Sequence, residues 1–110
     1  MKPSEVGAFY YSNLNEIVLP AGILQQPFFN TTFPSAFNFG ALGTFLAHEL
    51  THGFDDDGRK FDLHGNLGPW WSDATTEKFE KRAECFVQQY ANYNINGQVL
   101  NGLETLGELN

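Results

Sequence analysis

The stretch His48-Glu49-Leu50-Thr51-His52 decides how this chain folds and what it can bind. It is an H-E-x-x-H motif, in which a glutamate directly follows the first of two histidines. At about 100° per residue, a helix places both imidazoles on one face, one turn apart. Two neutral imidazoles in that arrangement can hold Zn²⁺ through ring nitrogens at about 2.0–2.1 Å. The pattern therefore predicts a helix that carries a zinc site, with one ion per chain.

Glu49 is the candidate catalytic residue of the motif. It lies roughly 60° from His52 around the predicted helix, so its carboxylate can reach a water on the metal without being a ligand. Zinc lowers the pKa of such a water to about 7, and a neighbouring carboxylate can pass the proton to a leaving amine. This combination favours hydrolysis of an amide bond. The alternative is a buried helix whose histidines only bond to neighbouring groups.

The residues around the motif predict a single helix from about Phe39 to Phe54, with Asn38 as its N-cap. Many positions of this helix are apolar, namely Leu42, Phe45, Leu46 and Leu50. A helix that is apolar over so much of its surface is expected to be buried on more than one side.

The other segments predict an α+β fold. Residues 6–11 and 16–19 are short apolar runs on either side of turn residues, which is typical of an N-terminal β-hairpin. Ser72 can cap a second long helix that reaches about Tyr90, because apolar residues recur there at helical spacing. Residues 103–110 indicate the start of a third helix.

The overall charge limits the classes of partner. Six Lys and Arg against 13 Asp and Glu give a net charge of −7, which argues against nucleic acid and favours a divalent cation. No apolar run approaches the roughly 18 residues of a membrane span, and the N-terminus lacks the apolar stretch of a signal peptide. We therefore expect no membrane contact from this chain itself.

A zinc site on two histidines needs a third protein ligand, which spacing alone does not identify. The residue six positions after His52 is Gly58, which excludes the metzincin pattern with its third histidine. The remaining architecture takes a glutamate from a later helix. The candidates are Glu77, Glu80, Glu84, Glu104 and Glu108.

Asp55 is a candidate partner for a ligand histidine. It follows His48 by about two helical turns, so on a continuous helix it could accept a ring N–H there. The alternative is that residues 55–58 form only a solvated turn. A calcium loop of the EF-hand type is excluded, because its twelfth position would be His64 instead of a glutamate.

Several further segments follow one another in an order that carries a family resemblance. They are Gly7-Ala8-Phe9-Tyr10, residues 19–29, the H-E-L-T-H-G-F-D-D-D-G stretch at 48–58, Trp70-Trp71, and residues 101–108. Together they resemble the catalytic domain of the neprilysin and endothelin-converting-enzyme family of zinc metallopeptidases. The resemblance covers nearly the whole chain.

The resemblance implies a role for each residue of the site. His48 and His52 would be zinc ligands, Glu108 the third ligand, and Glu49 the catalytic base and acid. It also implies a zincin-like (thermolysin-like) catalytic domain fragment, with an N-terminal β-hairpin, a zinc-binding helix, a second long helix and the start of a third.

The resemblance also implies how substrate binds. Ala8, on an edge strand, would bond to the backbone of a bound peptide by strand addition, which gives affinity without demanding one sequence. Gly7 occupies the position of a substrate-binding asparagine of the family, so it marks the same subsite without that side chain.

These implications define the expected function. We expect residues 1–110 to be a fragment of a neprilysin-type catalytic domain, truncated at the C-terminus, that hydrolyses small peptides as a zinc metalloendopeptidase. The alternative is a truncated, non-catalytic relic that binds zinc or is only structural. The expected partner is a peptide substrate, and the location implied by the family is extracellular or the cell surface.

Overall fold

Helices and two small antiparallel sheets make up the described part of the chain, residues 2–109 of a computed structural model. This mixture agrees with the expected α+β class. In chain order the elements are β1 (Phe9–Tyr11), β2 (Glu16–Val18), α1 (Ser35–Gly40), α2 (Leu42–His52), α3 (Asp73–Tyr90), β3 (Asn94–Ile95) and β4 (Gln98–Val99). Short 3₁₀ turns occur at Ala21–Ile23, Gly58–Lys60 and Leu106–Glu108.

Strands β1 and β2 form the predicted N-terminal hairpin, although both strands are shorter than expected. Tyr10 lies opposite Ile17 in the antiparallel register. The turn is closed by the N–H of Leu14, which donates to the carbonyl of Tyr11 at 3.0 Å. Asn15 completes the turn in the left-handed region, at φ 49°, a conformation that asparagine adopts more readily than most residues.

The single helix predicted from Phe39 to Phe54 is wrong, because two helices meet at Ala41. Ala41 has φ −94° and ψ −86°, which interrupts the helical hydrogen bonding. Asn38 does not cap α2: its amide accepts from the N–H of Asn30 at 3.1 Å and donates to the Asn30 carbonyl at 2.9 Å. The side chain that was expected to start the helix therefore ties α1 to the preceding loop.

Helix α2 is also less buried than its composition predicts. Leu42 is 8% exposed, but Phe45 is 37% and Leu50 is 59% exposed. Helix α1 and the hairpin strands pack against α2, and the ring of Phe28 contacts Phe45, but much of the apolar surface of α2 stays exposed within residues 2–109. The fully apolar core of the described residues is correspondingly small and consists of Ile23 and Leu42.

Helix α3 begins and ends where the sequence predicts. The hydroxyl of Ser72 accepts a hydrogen bond from the N–H of Thr75 at 3.3 Å, which is the geometry of an N-cap. The helix then runs to Tyr90 with a polar and charged surface. Among residues 2–109, no helix is both long enough and apolar enough to cross a membrane.

The third helix that was expected to start at Leu103 is wrong over its described part. Leu106–Glu108 is a 3₁₀ turn, in which the N–H of Glu108 donates to the carbonyl of Thr105 at 3.1 Å. The segment begins in close contact with α3: Gly102 lies so near that helix that a Cβ would overlap the carbonyl oxygen of Val87. Asn110, the last residue of the expected helix, lies outside the described residues.

We expect Gly102→Ala to lower the free energy of unfolding by about 1–3 kcal/mol, because the added methyl group must push the 101–108 segment away from α3. Gly68→Ala is the matched control, since a Cβ there meets no atom within 4 Å. Urea unfolding of both variants tests the expectation. Equal midpoints for the two variants would show that the close contact at Gly102 carries no stability.

Candidate metal centre

The two histidines of the motif face one another on the last turns of α2. Their Nε2 atoms are 3.0 Å apart, and the ring centroids are 4.4 Å apart at 75° between planes. The helical spacing thus brings His48 and His52 together on one face, as the sequence predicts. Glu49, between them in sequence, is 7% exposed, so its carboxylate is withdrawn from bulk water.

Asp55 determines which nitrogen of His52 carries the proton. Its Oδ2 lies 2.7 Å from His52 Nδ1, and an ionised carboxylate can only accept a hydrogen bond. The ring proton therefore belongs on Nδ1, which leaves a lone pair on Nε2 of the neutral imidazole. That lone pair is directed towards His48. Asp55 thus contacts one of the two motif histidines, as the sequence predicts, and that histidine is His52, although α2 ends there.

The turn after α2 brings Asp55 back against the helix. Helix α2 ends at His52, and the other carboxylate oxygen of Asp55 accepts from the N–H groups of Asp57 at 2.9 Å and Gly58 at 2.6 Å. Gly58 is buried against the helix end, where a Cβ would overlap the carbonyl oxygen of His52. The backbone around Asp55 is therefore fixed on both sides, and so is its carboxylate.

Glu108 reaches the histidines from the other end of the described chain. Its Oε2 lies 3.4 Å from His48 Nε2, while 74% of its side-chain surface is exposed. Two other glutamates that spacing left open are engaged elsewhere: Glu80 pairs with Arg59 at 3.1 Å, and Glu84 accepts from Gln88 at 3.0 Å. The fold thus brings Glu108 to the motif.

Two donor separations in this cluster are close to those of a tetrahedral zinc ion. With metal–donor distances of about 2.0–2.1 Å, two donors of a tetrahedron stand about 3.3 Å apart. The separations of 3.0 Å between the imidazole nitrogens and 3.4 Å from His48 to Glu108 are close to that value. The side chains whose possible donor atoms all lie within 4.8 Å of one another are His48, Glu49 and His52, and Glu108 approaches this group at His48. Two nitrogens and one carboxylate oxygen leave a fourth position open, as in catalytic zinc sites.

A groove of about 430 Å³ lies between strand β1 and this cluster. It is lined on one side by residues 8–12 and on the other by His48, Glu49, His52 and Glu108. Ala8 is part of the lining, whereas Gly7 is not. Within residues 2–109, β1 is paired with β2 along one edge alone, so its other edge offers backbone groups to an extended peptide.

Tyr10, the last residue of the Gly7-Ala8-Phe9-Tyr10 segment, also lines the groove, although the resemblance assigns it no role. Its hydroxyl donates to Oδ1 of Asn15 at 2.8 Å. Burial raises the pKa of the Tyr10 phenol, and the nearby Asp55 carboxylate raises it further, so the hydroxyl keeps its proton at neutral pH. The sequence signal that could have identified Tyr10 is its position in the strand, two residues after Ala8 and five before Asn15.

Comparison with known proteins places these features in a family. The sequence model of peptidase family M13 matches residues 7–110. Endothelin-converting enzyme 1 of Mus musculus is 54% identical over 108 residues, which cover 98% of this chain and 14% of that enzyme. Neprilysin-3 of Drosophila melanogaster is 50% identical over 108 residues, again 98% of this chain and 14% of the relative.

Solved structures give the same result. The zinc metalloprotease Zmp1 of Mycobacterium tuberculosis, in complex with an inhibitor, has a TM-score of 0.92 at 40% identity over 98% of this chain and 18% of that one. PepO from Lactobacillus rhamnosis has a TM-score of 0.90 at 34% identity, over 98% of this chain and 17% of that one.

The chain thus spans about one seventh of the length of these curated relatives, since it covers 14% of each. The resemblance to the neprilysin and endothelin-converting-enzyme family that the motifs suggest is confirmed by relatives that match along nearly the whole chain. This chain belongs to peptidase family M13.

Proposed function

We propose that this chain supplies the metal site, the catalytic base and the substrate strand of a zinc metalloendopeptidase that hydrolyses small peptides. One observation carries the proposal: the two imidazole nitrogens, the Glu108 carboxylate and the buried Glu49 converge at one wall of a groove whose other wall is an edge strand. Catalytic residues and a place for an extended peptide thereby lie next to each other.

In this proposal His48, His52 and Glu108 hold one zinc ion through the atoms that already face each other. Zinc, when bound, supplies Lewis acidity that lowers the pKa of a water and polarises a peptide carbonyl. Asp55 keeps the proton of His52 on Nδ1, so that Nε2 stays available as a donor.

Glu49 acts as the proton carrier. Its carboxylate is nearly excluded from bulk solvent and lines the groove, where it can accept a proton from a nucleophile held there. The same carboxyl group then gives the proton to the departing amine, so that the C–N bond breaks without releasing an unprotonated amine anion. Glu49 ends each cycle in its starting ionised state.

Strand β1 is proposed to bind the peptide backbone. Ala8 lies at the groove, and backbone pairing at an edge strand selects an extended conformation with little demand on sequence. Gly7, which does not line the groove, stays a prediction as a substrate-binding position. The thermolysin-like topology, the assignment of residues 1–110 as a catalytic-domain fragment, and an extracellular or cell-surface location also stay predictions.

We expect Glu49→Gln to lower kcat/KM by about 10²–10⁴-fold while zinc stays bound, because the amide keeps the shape of the side chain but cannot accept the proton. The measurement uses the full natural chain loaded with zinc and a short quenched-fluorescent peptide with a central phenylalanine. Glu16→Gln, an exposed residue on β2, is the charge-matched control and should keep the full rate. Equal rates for Glu49→Gln and the unmodified chain would contradict the proposal and leave the non-catalytic alternative.

We expect Asp55→Asn to weaken zinc binding by about 10–100-fold, because the amide no longer fixes the proton of His52 on Nδ1 with a charged acceptor. Competition against a chromophoric zinc chelator measures the affinity without any need for catalysis. Asp56→Asn removes the same charge next to the site without removing the contact to His52, so it should bind zinc as the wild type does. If both variants bind zinc equally, the Asp55 contact does not tune the site.

A further inference from the structure

We propose that Tyr10 is a positioning residue that, together with Asn15, fixes the distance between the substrate strand β1 and the metal centre. The proposal rests on the proposed function of the groove. Tyr10 acts through the strand: its hydroxyl bonds to the hairpin turn and its ring packs on the end of α2, and neither contact involves a metal-binding atom.

The first link is the contact between Tyr10 and the end of the zinc helix. Gly53 directly follows His52, and a Cβ built on Gly53 would lie 3.0 Å from the phenol oxygen and 3.2 Å from Cζ of Tyr10. The ring therefore rests against the helix terminus with no space between them. Because the strand and the helix end touch here, this contact sets the minimum separation of the two walls of the groove.

The second link runs through the side chain of Asn15. Its Oδ1 accepts the Tyr10 hydroxyl at 2.8 Å, and its Nδ2 donates to the carbonyl of Leu63 at 3.2 Å. Both ends of one amide are therefore used, one towards β1 and one towards the loop 61–67. The left-handed φ of 49° at Asn15 directs the amide into this bridging position.

The loop 61–67, which accepts the hydrogen bond from Asn15, is held in shape by its own hydrogen bonds. Its first turn is organised by Asp62, whose Oδ1 accepts from the N–H groups of His64 at 2.8 Å and Asn66 at 2.9 Å. These hydrogen bonds, those from Asn66 above all, hold the pKa of Asp62 below its usual range. A bridge between Phe61 and Leu67 closes the loop at its base.

The tip of the hairpin also touches this loop directly. Gly65 has φ 76° and approaches the turn so closely that a Cβ would overlap the carbonyl oxygen of Asn13. The loop continues from the 3₁₀ turn at Gly58–Lys60, and Gly58 packs on the carbonyl of His52. The hairpin is thus attached to the exit of the zinc helix at two places, and the amide of Asn15 spans between them.

A peptide that pairs with β1 takes its position from that strand, so a displaced strand shifts every backbone bond along the groove. To bring its carbonyl to the metal centre, the peptide must then give up part of its backbone pairing with β1. That loss is the same in the bound substrate and in the transition state, so KM rises and kcat stays nearly unchanged. Zinc binding is not affected, because His48, His52 and Asp55 keep their mutual contacts. A residue with only a structural role would lower zinc affinity and substrate affinity together.

The test uses Tyr10→Phe, which removes one hydroxyl, and Asn15→Gly, which keeps the left-handed backbone but removes the amide. In the zinc-loaded natural chain, Tyr10→Phe loses one hydrogen bond and should raise KM for the quenched peptide by about 2–10-fold, with kcat within about twofold. Asn15→Gly loses two hydrogen bonds and should raise KM by at least as much, again with kcat within about twofold. The double variant should be no worse than Asn15→Gly, since the hydroxyl acts through the amide. Tyr93→Phe is the control, because its hydroxyl accepts from Gln89 at 3.4 Å, away from the groove.

Two further readouts separate positioning from general destabilisation. Zinc affinity and inhibition by acetohydroxamate, which needs only the metal, should be the same in Tyr10→Phe and the wild type. An unchanged KM in both single variants, or a KM increase matched by an equal loss of zinc affinity, overturns the proposal.

The proposed function can fail separately from the positioning role. Absence of zinc-dependent cleavage by the wild type would refute the peptidase function. Binding of the same peptide to the zinc-loaded Glu49→Gln chain then decides the role of Tyr10. Adding Tyr10→Phe to that background must raise the dissociation constant by about 2–10-fold, and an unchanged constant overturns the proposal.

Discussion

The site depends on a single electrostatic constraint, the Asp55 carboxylate behind His52. It holds the ring proton on the far nitrogen and directs a lone pair at His48, only 3.0 Å away. Two imidazole nitrogens at that distance need either an N–H hydrogen of His48, which a neutral ring can supply, or a cation held by both. Three features bring the groups together at this point: the helical spacing of the histidines, the turn that folds Asp55 back onto the helix, and the approach of Glu108.

Close backbone contacts, more than a large apolar core, assemble the site. Ile23 and Leu42 are the buried apolar side chains of the described residues. The segments around the motif instead contact each other through their backbones at Gly58 and Gly102, where the absence of a side chain lets the two chains approach closely. Such contacts fix position to within a fraction of an ångström, because any added atom would overlap a carbonyl oxygen. This accuracy suits a metal site, in which donor distances must match closely.

Local sequence signals predicted the elements that local interactions determine. Helical spacing placed the two imidazoles on one face, and Ser72 marked the start of α3, since both depend on a few neighbouring residues. The break at Ala41 was not predictable, because Asn38 satisfies its amide with Asn30 in a tertiary contact that competes with capping.

The same distinction between local and tertiary interactions explains which parts of the candidate site were predictable. Spacing along the chain could not choose Glu108 from five glutamates or decide which motif histidine Asp55 contacts, because both depend on how the backbone turns back. The family resemblance supplied Glu108, and the fold brings that residue within 3.4 Å of His48. The role of Tyr10 was not predictable, because its contact with Gly53 forms only after the hairpin docks on the helix end.

The exposure of Glu108 has a consequence for the whole arrangement. Its carboxylate stands in a short 3₁₀ turn with three quarters of its surface in water, so little besides the histidines restrains it. An ion shared by the helix and this turn would act as a cross-link between distant parts of the chain, and its binding energy would include the ordering of the segment around Leu106. Metal occupancy and the order of that segment are then two aspects of one equilibrium.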